Sequence, residues 1–267
     1  MLLSSFKYNI KSAILPFMFF KLVTLCVVLF APLVAVSPEV LETVRPYLLP
    51  EKHPAKKVLD QLLAGQPLKD ETAFRKAGFQ FKPRTDPRRQ MVCGKHPRLK
   101  GFLIKTYFDI HANIGKEELN WIQRIKGAEQ LRQEIAQHKY SHIMKVPKKW
   151  IYLLPDNPSL PRRRFVLVVE DMVILKRDAN LEAYYFQMSR ERLTALYTLL
   201  TENLLIDSIY IDNIPFCKDG KIAFIDTEHY NVTHLPLRLH FLTSRLCPPM
   251  AKHWQELIPN FKQTIIQ

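Results

Sequence analysis

Between residues 101 and 200 the spacing of apolar residues alternates between strand-like and helix-like runs, and that order limits the fold to a mixed one. Gly101-Phe-Leu-Ile-Lys-Thr-Tyr-Phe108 reads as a strand, rich in aliphatic and aromatic residues and carrying one lysine, Lys105. Residues 116–139 follow with Leu119, Ile122, Ile125, Leu131 and Ile135 on one helical face, Glu129 and Glu134 on it or beside it. Trp150–Leu154 and Phe165–Val169 are further strands, split by a turn-rich loop holding Asp156-Asn-Pro-Ser and Pro161. A long helix is then expected through Tyr184, Met188, Leu193, Leu196, Leu199 and Leu200. Strands and helices interspersed in this way predict an α+β architecture.

The N-terminus is of a different kind. Lys7 and Lys11 precede an apolar stretch from Ala13 to Val36, broken by Lys21, Thr24 and two prolines, and no acid occurs before Glu39. Basic-then-apolar order predicts that residues 1–37 are a signal peptide or membrane anchor, so that the protein is secreted or membrane-anchored. Ala35-Val36-Ser37 offers small residues for cleavage, although Pro38 hinders it. No later segment is apolar for the length of a membrane span, so the remainder reads as a soluble domain. Residues 38–78 read as helical, shortened at Pro46.

Charge narrows the partners. Lys and Arg outnumber Asp and Glu 39 to 25, a formal charge of +14. Residues 79–100 are especially basic, with Lys82, Arg84, Arg88, Arg89, Lys95, Arg98 and Lys100 against Asp86. Such a segment is either a solvated loop or a polybasic contact site for an anionic membrane surface or an acidic protein partner. Aromatic residues are not interleaved with the basic ones, so nothing points specifically to nucleic acid. The four cysteines include no C-x-x-C pair, which gives a thiolate metal site no support. One disulfide among Cys93, Cys217 and Cys247 is compatible with export.

Chemistry concentrates in Asp207-Ser-Ile-Tyr-Ile-Asp-Asn-Ile-Pro-Phe-Cys-Lys-Asp-Gly-Lys-Ile-Ala-Phe-Ile-Asp226-Thr-Glu-His229. Short β-like pieces are expected at Ile209–Ile211 and Ile222–Ile225. Asp219-Gly220 favours the positive-φ geometry of a hairpin turn, which places Asn213 and Asp226 at neighbouring ends of one hairpin. A carboxylate beside an amide oxygen is a hard-oxygen pair suited to Mg²⁺ held partly by phosphates.

This stretch resembles the catalytic and metal-binding loops of the protein-kinase-like superfamily, H-x-D-x-x-x-x-N, a hairpin, then D-F-G or D-x-E. Upstream elements fall in the same order over roughly residues 100–230: strand lysine, helix with glutamates, strand leading to a hinge, helix before the loop. The resemblance implies ATP and Mg²⁺ as cofactors. Lys105 looks like the phosphate-pairing lysine, with Glu134, in preference to Glu129, as its ion-pair partner. Glu170 and Met172 fall at the hinge that would hold the nucleotide, and Asn213 and Asp226 look like the metal ligands.

The chain also departs from the pattern. The base position holds Ser208 and the histidine position Ile206, which leaves Asp207 and Asp212 as the nearby candidate catalytic acids. No G-x-G occurs, Thr227-Glu228 replaces Phe-Gly, and about 40 residues follow Asp226. The implied fold is a protein-kinase-like two-lobed one, preceded by the N-terminal hydrophobic segment. Residues 38–170 hold the N-terminal region and small lobe, and 171–267 an abbreviated C-terminal helical lobe. The degenerate base and missing glycine loop favour a pseudokinase-type binding or scaffold module. The alternatives are a divergent ATP/Mg-dependent phosphotransferase and an unrelated exported or anchored α+β domain.

Overall fold

A computed structural model describes residues 36–65, 67–81, 90–110, 116–155, 163–205, 209–231 and 238–258. The expected targeting segment, apart from Val36 and Ser37, lies outside the described residues. Among those residues no helix is long and apolar enough to cross a membrane.

The chain is α+β. Three short helices open it: α1 (Pro38–Val44), α2 (Lys56–Leu62) and α3 (Glu71–Lys76). Ser37 caps α1, and Pro46 converts its end into a 3₁₀ turn over Arg45–Tyr47. Then come β1 (Val92–Gly94), β2 (Phe102–Thr106), the long helix α4 (Glu117–Gln137), β3 (Met144–Lys145), β4 (Lys149–Leu153) and β5 (Phe165–Glu170). Strands β1, β2, β5 and β4 form one antiparallel sheet in that order, with Lys105 opposite Leu167 and Cys93. The rest comprises α5 (Arg177–Phe186), α6 (Arg190–Glu202), β6 (Ile222–Ala223), a 3₁₀ turn over Leu239–Arg245, and α7 (Pro248–Leu257). Strand β6 pairs in parallel with β3.

Both faces of the sheet are covered. Val166 and Val168 point to a layer built with Leu59, Leu63, Phe74, Phe79, Ile104 and Tyr152. Phe165, Leu167 and Val169 point the other way, to Val44 of α1 and Trp121, Ile122 and Ile125 of α4. This two-sided burial explains why β5 is a continuous apolar run instead of an alternating one. Since Ile104 faces the first layer, its neighbour Lys105 lies on the α4 side. The second half of α4 serves another core. Ala128, Leu131 and Ile135 pack with Tyr184, Leu196, Leu200, Phe216, Phe224 and Trp254.

Two expectations need correction. The long helix through Leu200 is two helices, because Ser189 accepts a hydrogen bond from Arg192 N (3.2 Å) and starts α6 afresh. Ile209–Ile211 is not a β piece: Asn213 N and Ile214 N both donate to Tyr210 O (2.7 and 3.1 Å), which makes it a helical turn. The Asp-Gly hairpin forms, with Gly220 at φ +78° and its N–H on Cys217 O (2.9 Å). Cys217 and Cys247 hold unbridged thiols, so no disulfide forms among the three cysteines considered.

Beyond the sheet, Val173 sits at φ +51° and is 50% exposed. Asp171 Oδ1 accepts from Val173 N (3.1 Å), and Lys218 N donates to Val173 O (3.1 Å), holding this β-branched residue in the left-handed region. Val173→Asn, which tolerates that region, is expected to raise stability by about 1 kcal/mol in urea unfolding. An unchanged or lower midpoint would show that the turn stores no strain.

Candidate functional site

The site lies where β2, α4, the start of β4 and the end of the hairpin meet. Lys105 Nζ donates to Ile225 O (3.2 Å) and stands 3.9 Å from Asp226 Oδ1. Asn213 O accepts from Ile225 N (3.0 Å), so Asn213 lies beside the residue that precedes Asp226. Lys105, Asn213 and Asp226, far apart in sequence, are therefore brought together.

The helix meets this group with Arg124, not with a glutamate. Its Nη1 donates to Asp226 Oδ1 and its Nη2 to Glu228 Oε2, so one guanidinium holds two carboxylates of the Asp226-Thr-Glu228 strap. Thr227 Oγ1 donates to Arg124 O (2.8 Å) and accepts from Lys149 Nζ (2.8 Å). Gly127, three residues along α4 from Arg124, gives the strap room: a Cβ there would stand 2.2 Å from Thr227 O.

The expected pair between Lys105 and Glu134 does not form. Glu134 accepts from Asn203 Nδ2 and Gln130 Nε2, on the half of α4 that packs into the second core. Glu129 is exposed. In the segment after β5, expected as a hinge, Glu170 Oε2 accepts from Lys148 N (2.8 Å), and Met172 O accepts from Lys145 Nζ (3.3 Å). Lys145 also binds Asp219 of the hairpin turn (2.8 Å), so the segment after β5 is tied to the hairpin by one lysine. Asp212 is exposed on the turn before Asn213, whereas Asp207 and Ser208 lie outside the described residues.

Arg124, Lys149, Thr227 and Glu228 were not singled out from the sequence as site residues. A signal was present for Arg124. It occupies the apolar stripe of α4 between Trp121 and Ala128, where a 3% exposed guanidinium needs partners. Arg124 also stands over the Trp121 ring (6.0 Å), itself stacked on Tyr107 (5.1 Å).

Charge dominates this place. Burial, helped by neighbouring Lys105, pushes the Lys149 ammonium well below the usual lysine range. Burial alone would raise Asp226, but Lys105, Arg124, Lys149 and His229 outweigh it and hold its carboxyl at about 2, against an ordinary 3.8. A depressed carboxylate contributes stability that is present above its unfolded pKa and is lost as pH falls through its folded one. Acidification from about pH 4 to pH 2 should therefore remove about 2 kcal/mol through Asp226. Comparing urea midpoints of native chain and Asp226→Asn across that range checks this. Equal slopes for the two would remove Asp226 as the cause.

Among the described residues no three His, Cys, Asp or Glu side chains gather in a way that could hold a metal ion. A divalent cation at Asp226 would face Lys105 and Arg124 at the same carboxylate, with Lys149 close behind. As arranged, these residues do not fit Mg²⁺. Comparison with known proteins gives no matching family model and no significantly similar curated protein.

Proposed function

We propose that this chain is an exported or membrane-anchored, protein-kinase-like module that acts by binding, as a pseudokinase-type scaffold, and not by phosphoryl transfer. One observation carries the reading: Arg124 occupies Asp226, the carboxylate that a kinase-like site would give to its metal. The kinase-like part of the reading is supported by order and placement. The lysine strand β2 pairs with β5, β5 leads to the hinge segment, and α4 packs over the lysine face. The hairpin then carries Asn213 and Asp226 to that lysine.

Binding replaces turnover for a physical reason. Phosphoryl transfer needs metal to neutralise charge on the phosphates, and here the protein's own cations hold the carboxylate that would recruit it. The hinge follows the same logic, since the Met172 carbonyl is engaged by Lys145. The anchor half of the proposal rests on residues 1–37, with their basic-then-apolar order.

Thermal shift of the full chain, prepared from the membrane fraction where that segment is expected to place it, tests both halves. The response to ATP should be the same with and without Mg²⁺. A Mg²⁺-dependent stabilisation that Asp226→Ala abolishes would overturn the scaffold reading in favour of a phosphotransferase. A chain recovered wholly from the soluble fraction would remove the anchor.

A further inference from the structure

Two of the chain's asparagines stand two residues before a hydroxyl residue, in Asn157-Pro-Ser159 and Asn231-Val-Thr233. A proline in the middle position disqualifies the first as an acceptor of N-linked glycan, and the second keeps the full pattern. Such a pattern has chemical meaning only where the chain meets the glycosylating enzyme, on the lumenal side of a secretory membrane. The export signal expected in residues 1–37 would bring it there.

Asn231 differs from the asparagines buried in the fold. Asn180 and Asn203 are 2% and 1% exposed, and their amide nitrogens are engaged inside. Asn180 Nδ2 donates to Ile211 O (3.1 Å), and Asn203 Nδ2 donates to Glu134 and to Leu199 O (2.9 Å). Asn231 is exposed, and its side-chain amide makes no hydrogen bond among the described residues. The fold uses its backbone instead. Asn231 N donates to Asn203 O (2.7 Å), and the residue turns the chain at φ +56°. Asparagine tolerates that left-handed geometry better than most residues do. Just before it, Tyr230 packs against the core and lies close to Gly127 of α4. The backbone is therefore held at Asn231, while the side chain that would carry sugar stays outside. Sugar on its Nδ2 would break no hydrogen bond of the described fold and would uncover no buried residue.

We infer that Asn231 is an N-glycosylation site. This rests on export through residues 1–37 and is independent of the kinase-like assignment. The co-reactant is an oligosaccharide linked through diphosphate to a polyprenyl lipid. Asn231 Nδ2 bonds to the anomeric carbon of the first sugar, the bond from that carbon to the diphosphate oxygen breaks, and the diphosphate leaves with the electron pair. The amide nitrogen gives up one proton to solvent, and nothing is oxidised or reduced. Thr233 supplies, by its place in the sequence, the hydroxyl that the transferase recognises. The sugar would stand at the C-terminal end of α6, since Asn203 caps that helix.

Cell-free translation of the full chain with endoplasmic-reticulum microsomes tests the inference. Chain protected from added protease is expected to run as a heavier band that peptide-N-glycosidase shifts down in one step. That shift should be lost in Asn231→Gln and in Thr233→Ala, and kept in Thr233→Ser. Thr233→Ala leaves the left-handed residue in place, so its result does not depend on how glutamine fits at φ +56°. Mass spectrometry of the digested native chain should show aspartate at position 231, the mark that the glycosidase leaves. A protected chain with no shift on digestion would overturn the inference and leave export standing. A chain wholly open to protease would overturn export and the site together. A shift that persists in both Asn231→Gln and Thr233→Ala would place the glycan elsewhere and overturn the inference as well.

Discussion

Arg124→Ala is expected to destabilise the protein by about 3–5 kcal/mol, the range for removing one partner of a buried ionic group. The size follows from what is left behind. Asp226 and Glu228 are only 20% and 29% exposed at their side chains, and both bind the same guanidinium. Without it Glu228 loses its arginine, and Asp226 loses the cation closest to it, Lys105 standing farther off at 3.9 Å. Arg124→Lys should recover little, because a single ammonium cannot reproduce the planar fork that spans two carboxylates. Replacing all three charges, as in Arg124→Met with Asp226→Asn and Glu228→Gln, should restore part of the loss, since the stranded charges go with their partner. Urea unfolding of the three variants decides the matter. A loss below about 1 kcal/mol in Arg124→Ala would mean that the pairs behave as surface salt bridges.

Gly127→Ala should also destabilise, by about 2 kcal/mol, against the direction that helix propensity gives. In an exposed helix the change would be worth about 1 kcal/mol of added stability. Here the new Cβ would lie 2.2 Å from Thr227 O and 2.8 Å from the Tyr230 ring, so the strap carrying Asp226 and Glu228 would have to move off α4. Overpacking of that kind typically costs about 1–3 kcal/mol. The displaced carbonyl is backbone, which cannot swing aside as a long side chain would. A variant more stable than the native chain would show that the strap does not lie against α4 at Gly127. Combined with Arg124→Ala, the two losses should fall well short of additive, since both changes release the same strap.

Much of the frame could be read in advance, and the reasons are local. Helix α4 and strands β2, β4 and β5 announce themselves because each buries a face whose period is written in consecutive residues. The hairpin at Asp219-Gly220 is likewise a matter of four neighbouring residues. The break at Ser189 was hidden because Tyr184, Met188, Leu193 and Leu196 keep apolar spacing straight across it, while the N-cap that starts α6 is a single hydroxyl. At the site, Lys105, Asn213 and Asp226 stood out through the family resemblance, yet Arg124, which joins them, did not. Glutamates on α4 drew attention as partners for a lysine, whereas the chain supplies an arginine for a carboxylate. Which face of α4 looks at the strap is decided by tertiary packing of Trp121 and Ala128, and no local pattern encodes that.

Helix α4 has a further consequence for the making of the protein. Its first half closes one core with β5, and its second half belongs to a core shared with Ile143, Met144 and Val146 and completed by α5, α6, the hairpin and α7. During synthesis the sheet and α4 leave the ribosome before those later helices exist. For that interval Ala128, Leu131 and Ile135 form an apolar stripe that lacks most of its partners. The nascent chain is then at its most adhesive, and a chaperone or the arrival of α6 must cover the stripe before another chain does.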